Sequence, residues 1–365
     1  DRPEEAGAAV GSGICLFLVV AVAATVALEL AAPQLAMLMH APADAFDGTV
    51  EYVRICSGGA VFIVAYNLLG SIFRGIGDSR VPLITVLIAC ILNIGDLLLV
   101  GGFGLNVAGA AIATVFAQAM SVALSLLLIR GKHLAFILRR QDIRFNGAII
   151  GRILKLGSPV ALQDLLVNIT FLVIIAIANS MGTIPSAGVG VAEKLCAFVM
   201  LVPSAYMQSM SAFVAQNIGA GDPRRAKKSM LTGIAVGVAF GCVMFVLVML
   251  KGDVLAGLFS TDAEVVRRGF EYLRGFAPET IVTGVLFSMV GYFNGNNKTL
   301  WVMVQGLVQT LLVRLPLAYY MSMQPNASLT KIGLSAPVAT VVGILLNIMF
   351  YIYINRKNAE ERRVR

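Results

Sequence analysis

Apolar residues follow one another along this chain in runs too long for a soluble helix and without the two-residue alternation of a strand. One run covers 11–39, broken by Glu29, Pro33 and Gln34, and another covers 234–250. An α-helix needs about 20 such residues to cross roughly 30 Å of hydrocarbon. Read this way, the chain predicts ten spans, near 8–38, 49–72, 81–102, 106–130, 152–181, 186–218, 228–250, 268–293, 300–322 and 333–355. With no ten-residue alternating segments a lipid-facing barrel is disfavoured, and only helices then satisfy the backbone in lipid. The expected fold class is all-α, a polytopic membrane protein.

Composition agrees. Charged residues make up 13% of the chain and its mean hydropathy is +0.85, whereas a soluble domain carries about 25% charged residues. Cys15, Cys56, Cys90, Cys196 and Cys242 all sit inside apolar runs and form no CxxC pair, as small buried hydrophobes do. His40 and His133 are loop residues that cannot build a zinc cluster together. No cofactor is expected.

The net charge of +8 changes the picture only through its placement. Counted from the start, alternate loops carry Arg2, then Arg74 and Arg80, then Arg130, Lys132, Arg139, Arg140, Arg144, Arg152 and Lys155, then Arg224, Arg225, Lys227 and Lys228, then Lys298, and finally Arg356, Lys357, Arg362, Arg363 and Arg365. The opposite loops carry only Lys251, Arg267, Arg268 and Lys331. Basic loops stay on the cytoplasmic side. Both ends of the chain are therefore expected on the cytoplasmic side of the membrane. The basic character needs no nucleic-acid partner.

The chain also repeats itself at an offset of 220. Segment 35–54 (LAMLMHAPADAFDGTVEYVR) matches 255–274 (LAGLFSTDAEVVRRGFEYLR), including the polar Glu51, Tyr52 and Arg54 against Glu271, Tyr272 and Arg274. Shared greasiness cannot produce that polar agreement. Within each copy the acid and arginine stand three apart and are expected to pair with each other. An even number of spans in the same orientation makes this a parallel duplication about an axis along the membrane normal, an arrangement common in transporters. The second copy, 152–365, holds six spans and a basic tail, whereas the first, 1–130, holds four and lacks a counterpart of 152–218. The chain is accordingly expected to be part of a twelve-span protein, with Asp1 corresponding to Asp222. Between the copies, 131–151 interleaves basic and apolar residues, as an interfacial amphipathic linker does on the cytoplasmic leaflet.

Five stretches together resemble a known family, the multidrug and toxic compound extrusion (MATE) transporters. They are 66–82 (YNLLGSIFRGIGDSRVP), 92–96 (LNIGD), 107–114 (VAGAAIAT), 157–159 (GSP) and 216–221 (QNIGAG). The likeness is nearest to the bacterial branch with the DNA-damage-inducible F-like proteins, minus the first two helices. It implies two six-helix lobes, related by a parallel pseudo-twofold axis, around a central cavity. The implied activity is antiport, exporting small amphipathic or cationic compounds in exchange for Na⁺ or H⁺. A monomer in the lipid bilayer is expected. One branch of the family uses a carboxylate eight residues after the Gly-x-Pro proline and another twelve before a loop glycine; those positions here are Val167 and Thr283.

Ionisable groups inside spans are costly and are functional candidates by default. Glu279 stands mid-run, with Thr283 one turn on. Gln163, Asp164 and Asn168 follow Pro159 on one helix, and Glu193 stands beside Lys194. These residues are the expected ion-coupling and cavity set, with Glu279 and Asp164 as the carboxylates near which a proton or Na⁺ would bind; the coupling ion stays open. Asn93 and Asp96, at i and i+3, are expected to fix helix packing, and Arg314 to snorkel or pair with a neighbour.

Other classes fare worse. There is no GxxxxGK[ST] loop for a nucleotide-driven pump, and neither an HExxH nor a DDxxD motif for a membrane enzyme. A lipid-linked oligosaccharide flippase of the same superfamily is the alternative, but a pyrophosphate cavity should hold several cations and this chain offers mainly Lys194 and Arg314. The stretch 215–228 (AQNIGAGDPRRAKK) has the glycines and cations of a phosphate loop. It follows an apolar helix rather than a strand, and so reads as a turn where a helix leaves the bilayer.

Overall fold

In the computed structural model, which describes residues 3–38, 46–103, 106–130 and 139–364, the chain is helical almost throughout. The helices are α1 (Pro3–Leu38), α2 (Phe46–Gly58), α3 (Ala60–Gly75), α4 (Arg80–Phe103), α5 (Asn106–Arg130), α6 (Gly147–Asn179), α7 (Thr183–Gly219), α8 (Pro223–Gly257), α9 (Ala263–Phe276), α10 (Glu279–Gly295), α11 (Thr299–Leu307), α12 (Leu315–Ser322) and α13 (Leu329–Val364). A π-helical segment, Val308–Arg314, joins α11 to α12, and a short 3₁₀ turn at Arg140–Asp142 precedes α6. Each predicted span coincides with one helix or one continuous helical passage, with two corrections. The spans near 49–72 and 268–293 are not straight: α2 and α3 meet at 53°, and α9 and α10 at 50°. Among the described residues seven helices are long and apolar enough to cross a membrane, and nine passages if each bent pair counts as one. Of the expected linker, 131–138 lies outside the described residues.

The duplication is visible element by element. Helices α1, α2, α3, α4 and α5 correspond to α8, α9, α10, α11–α12 and α13, and both bends fall at the same place in the repeat. The turns recur too. Gly77, Gly221 and Asn297 have φ of 84°, 78° and 59°, and each ends a helix with the same pair of backbone bonds. The residue after each donates to the carbonyl five back: Asp78 to Phe73 (2.9 Å), Asp222 to Asn217 (2.8 Å) and Lys298 to Phe293 (2.9 Å). This is the left-handed helix stop that glycine or asparagine suits. Asp222 then caps α8, accepting from the Arg225 N–H at 2.9 Å, with Pro223 in the first turn. The glycines of 215–228 therefore serve a helix stop followed by a helix start.

Contacts divide the chain into two units, Asp1–Leu154 and Lys155–Arg365. Unit 1 packs α1 against α2 and α3, and α5 against α2, α3 and α4. Unit 2 is centred on α10, which lies between α7 and α8. The α8–α10 crossing is close because Gly237 meets Gly284 and Gly241 meets the Thr280 carbonyl, where added Cβ atoms would strike backbone; small residues allow such approach in membranes. The Thr280 hydroxyl donates across this crossing to the Gly241 carbonyl at 2.9 Å. Two apolar clusters flank it. One gathers Ile174, Val189, Leu195, Tyr272, Leu273 and Ile332, the other Met230, Met289, Val290, Phe293 and Val302.

The expected acid–arginine pairs of the repeat are not made. Glu271 takes Arg268 at 3.0 Å, Arg274 lies 5.8 Å from the Phe270 ring centre, and Arg54 lies 4.0 Å from Glu29 on α1. Spacing of three allows a partner on either side along a helix, and here the upstream one wins in α9.

Candidate functional site

Glu279 is the first residue of α10, placed there by the break at Ala277 and Pro278. The bend directs its carboxyl toward α13 and the π-helical segment. Its Oε1 accepts from the Thr283 hydroxyl, one turn along α10, at 3.0 Å and from the Thr340 hydroxyl of α13 at 2.8 Å. Thr340 in turn accepts from Gln309 Nε2 at 3.0 Å, and Gln309 Oε1 accepts from Gln305 Nε2 at 2.6 Å. The bonds run in one direction: each member donates to the next, and the carboxylate receives the last. Thr283, Thr340 and Gln305 are each 1% exposed. Both ends of the chain stay open, because Glu279 Oε2 and Gln305 Oε1 are shielded from solvent and accept no hydrogen bond.

The local backbone makes room for this chain of polar groups. Gln305 and Gln309 lie a helical turn apart on either side of the entry into the π-helical segment, a form that recurs at functional sites. They fit against α13 only because residue 343 is glycine; a Cβ there would collide with both amides. At the far end of the π-helix Arg314 lies over Phe171, 5.1 Å from the ring centre. Its Nε and Nη2 are buried without a hydrogen-bond acceptor. Arg314 interacts electrostatically with both Glu193 and Glu279. It is thus a half-buried cation whose Nε and Nη2 are shielded and whose charge acts on two acids, rather than a side chain reaching out to the surface.

The expected set divides in space. Glu279 and Thr283 are in direct contact, and Glu193 joins them through Arg314, with its own Oε1 shielded and unbonded. Gln163 lies against Gly306, next to Gln305. Asp164 and Asn168 do not join: both are exposed on α6, and the Asn168 amide donates to the Asp164 carbonyl at 2.8 Å. Asp164 therefore stands apart from the hydrogen-bonded group around Glu279. Lys194 is also exposed. The side chains of Asn93 and Asp96 lie outside the described residues. Among the described residues no group of three or more His, Cys, Asp or Glu side chains converges as a metal centre.

Thr340, Gln305 and Gln309 were not anticipated. The two glutamines stand four apart inside an otherwise apolar run, the same signal that singles out Glu279. Thr340 carries no such signal, because a lone threonine in a span is ordinary.

The MatE family profile matches residues 1–95 and 159–320. The "Probable multidrug resistance protein YoeA" of Bacillus subtilis is 25% identical over 335 residues, covering 90% of this chain and 72% of that one. The "FAD transporter" of Shewanella oneidensis is 29% identical over 73% of this chain, and the "Multidrug export protein MepA" of Staphylococcus saprophyticus 26% over 76%. This chain spans 60% and 62% of the lengths of those two relatives. Among solved structures, a MOP superfamily transporter from Pyrococcus furiosus, described as having a binding pocket of reverse polarity, superposes with a TM-score of 0.88 at 21% identity. It covers 95% of this chain and 79% of its own. An outward-facing multidrug resistance MATE transporter gives a TM-score of 0.86 at 19% identity over 94% and 82%. At those identities the structures speak to the fold alone.

Proposed function

This chain belongs to the MatE family of membrane transporters, and we propose that the protein it represents is a secondary antiporter. It exports small amphipathic or cationic organic compounds across the bacterial plasma membrane in exchange for Na⁺ or H⁺, by alternating access. Similarity to relatives named for multidrug export and resistance supports the substrate class. Basic loops on alternate sides support cytoplasmic ends.

The observation that carries the coupling role is the state of the Glu279 carboxylate. One oxygen is held by two hydroxyls while the other is buried without a donor. A carboxylate in that setting gains from a proton or a hard cation at its open oxygen. A cationic substrate nearby competes for the same charge, and that competition is the link antiport requires. No nucleotide or prosthetic group takes part.

The test uses the full-length protein in a host lacking its own efflux pumps. Expression should lower accumulation of a cationic dye, and Glu279→Gln should restore accumulation at unchanged protein level. Equal accumulation with and without the transporter, under both Na⁺ and H⁺ gradients, would remove the reading.

A further inference from the structure

The four cations of the first turns of α8 have so far served only to hold a loop on one side of the membrane. The structure divides them between two faces. Arg225 and Lys228 line one groove, with Arg225 5.5 Å from the Phe213 ring centre. Arg224 and Lys227 line another, a cavity of about 480 Å³ lying wholly within unit 2. A third cation, Lys298, reaches that cavity from the turn between α10 and α11, and Asn296 stands beside it. Phe293 and Tyr351 give it an aromatic wall, with the Lys227 ammonium 5.7 Å from the Tyr351 ring centre.

Two features separate this cavity from an ordinary basic surface. No carboxylate lines it, and among the described residues none of Arg224, Lys227 and Lys298 is engaged in an ion pair. Its cations also come from two separate turns, each built on the same left-handed helix stop at Gly221 and Asn297, so their convergence is set by the fold. A phosphate offers several charged oxygens to such a group, and an arginine fork can hold two of them. Basic pockets between helices at the face of positive loops suit the head groups of anionic lipids. We propose that the cavity lined by Arg224, Lys227 and Lys298 is a phosphate-recognition site for an anionic amphiphile, its phosphate on the three cations and its apolar part along Phe293 and Tyr351. The site is distinct from the Glu279 cluster and does not depend on the coupling role given to it.

The division of the α8 cations supplies the control. Full-length protein in a neutral detergent is titrated with dioctanoyl phosphatidic acid, dioctanoyl phosphatidylcholine and glycerol 3-phosphate while thermal unfolding is followed. Phosphatidic acid should raise the unfolding temperature and phosphatidylcholine should not. Arg224→Gln with Lys227→Gln should weaken apparent phosphatidic acid affinity about 30-fold, and Lys298→Gln alone about fivefold. Arg225→Gln with Lys228→Gln removes the same charge from the same turns and should stay within about threefold of the parent. A need for acyl chains would support the amphiphile; glycerol 3-phosphate matching phosphatidic acid would overturn the apolar half of the assignment and leave a soluble phosphate as the ligand on the three cations. Equal weakening by the two double variants, or equal binding of phosphatidylcholine, would overturn it. Unfolding temperatures without ligand verify that each variant folds, and Lys298→Gln carries the test if the first double variant does not.

Discussion

The two units carry a carboxylate at the same bend of the same repeat but treat it in opposite ways. In unit 1 the bend lies at Gly59, and the acid comes from outside it: Glu29 of α1 accepts from the Ser57 hydroxyl at 2.9 Å, with Arg54 4.0 Å away. In unit 2 the residue equivalent to Gly59 is Glu279 itself, held by two hydroxyls with one oxygen unbonded. The arginine equivalent to Arg54 is Arg274, which turns to the Phe270 ring instead. Glu29 is therefore partly solvated and has a cation close by, whereas Glu279 is shielded and has hydroxyls as its direct contacts. Duplication preserved the bend; what differs is whether the acid keeps an open oxygen. A group with an open, shielded oxygen can change partners during a transport cycle, while one that is half-solvated beside an arginine mainly ties two helices together.

The most direct way to break this comparison is to remove both charges separately. Glu279→Gln keeps the shape but loses charge-assisted hydrogen bonds worth about 1.5–3 kcal/mol, so dye export by the full-length protein should fall about tenfold or more. If export survives, the bend in unit 2 is as structural as its counterpart. The next largest effect falls on stability. Gly59 faces the Val115 side chain so closely that an added Cβ would overlap it, although the equivalent position in unit 2 bears a full side chain. Gly59→Ala should cost about 1–3 kcal/mol of overpacking, seen as a lower unfolding temperature in detergent. A neutral result would mean that α5 yields at that point, and that unit 1 could accept a side chain where unit 2 has one.

How much of this was legible beforehand follows from the physics of each feature. Span positions were, because hydrocarbon thickness sets a length that apolar runs must match. The bends were not: Gly59 and Ala277–Pro278 sit inside apolar runs, and hydropathy is blind to direction. Glu279 announced itself as an acid in a greasy segment. Thr283, one turn along the same helix, came with it, but Thr340 did not, since it is 61 positions away and the meeting depends on α13 approaching the π-helix at Gly343. Asp164 was expected beside Glu279 in the coupling set, yet α6 leaves it exposed; an acid in a run of apolar residues says nothing about which face of the helix it occupies. The 215–228 stretch shows a different limit. Its resemblance to a phosphate loop was correctly set aside for want of a strand, and its glycines do form a helix stop, but one-dimensional reading could not separate Arg224 and Lys227 from Arg225 and Lys228.

A smaller effect sharpens the view of the hydrogen-bonded chain. Thr340→Val keeps the volume but removes a donor to Glu279 and the acceptor of Gln309. A neutral hydrogen bond is worth about 0.5–1.5 kcal/mol, so export should fall about three- to tenfold, less than for Glu279→Gln. An effect equal to that of the acid itself would mean that the relay acts as one unit rather than as support for a single oxygen.

The smallest effect belongs to the acid of unit 1. The Glu29 and Arg54 side chains are 39% and 54% exposed, and half-solvated pairs contribute about 0–1 kcal/mol. In Glu29→Gln the amide oxygen can still accept from Ser57, so the link between α1 and α2 persists without the charge. Export should stay within about twofold of the parent and the unfolding temperature should drop slightly, by less than for Gly59→Ala. Measured beside Glu279→Gln at matched expression, this variant tests the asymmetry itself. If Glu29→Gln abolishes export while leaving the fold intact, ion coupling is shared between the two bends, and the cation beside Glu29 is part of the transport chemistry rather than its absence.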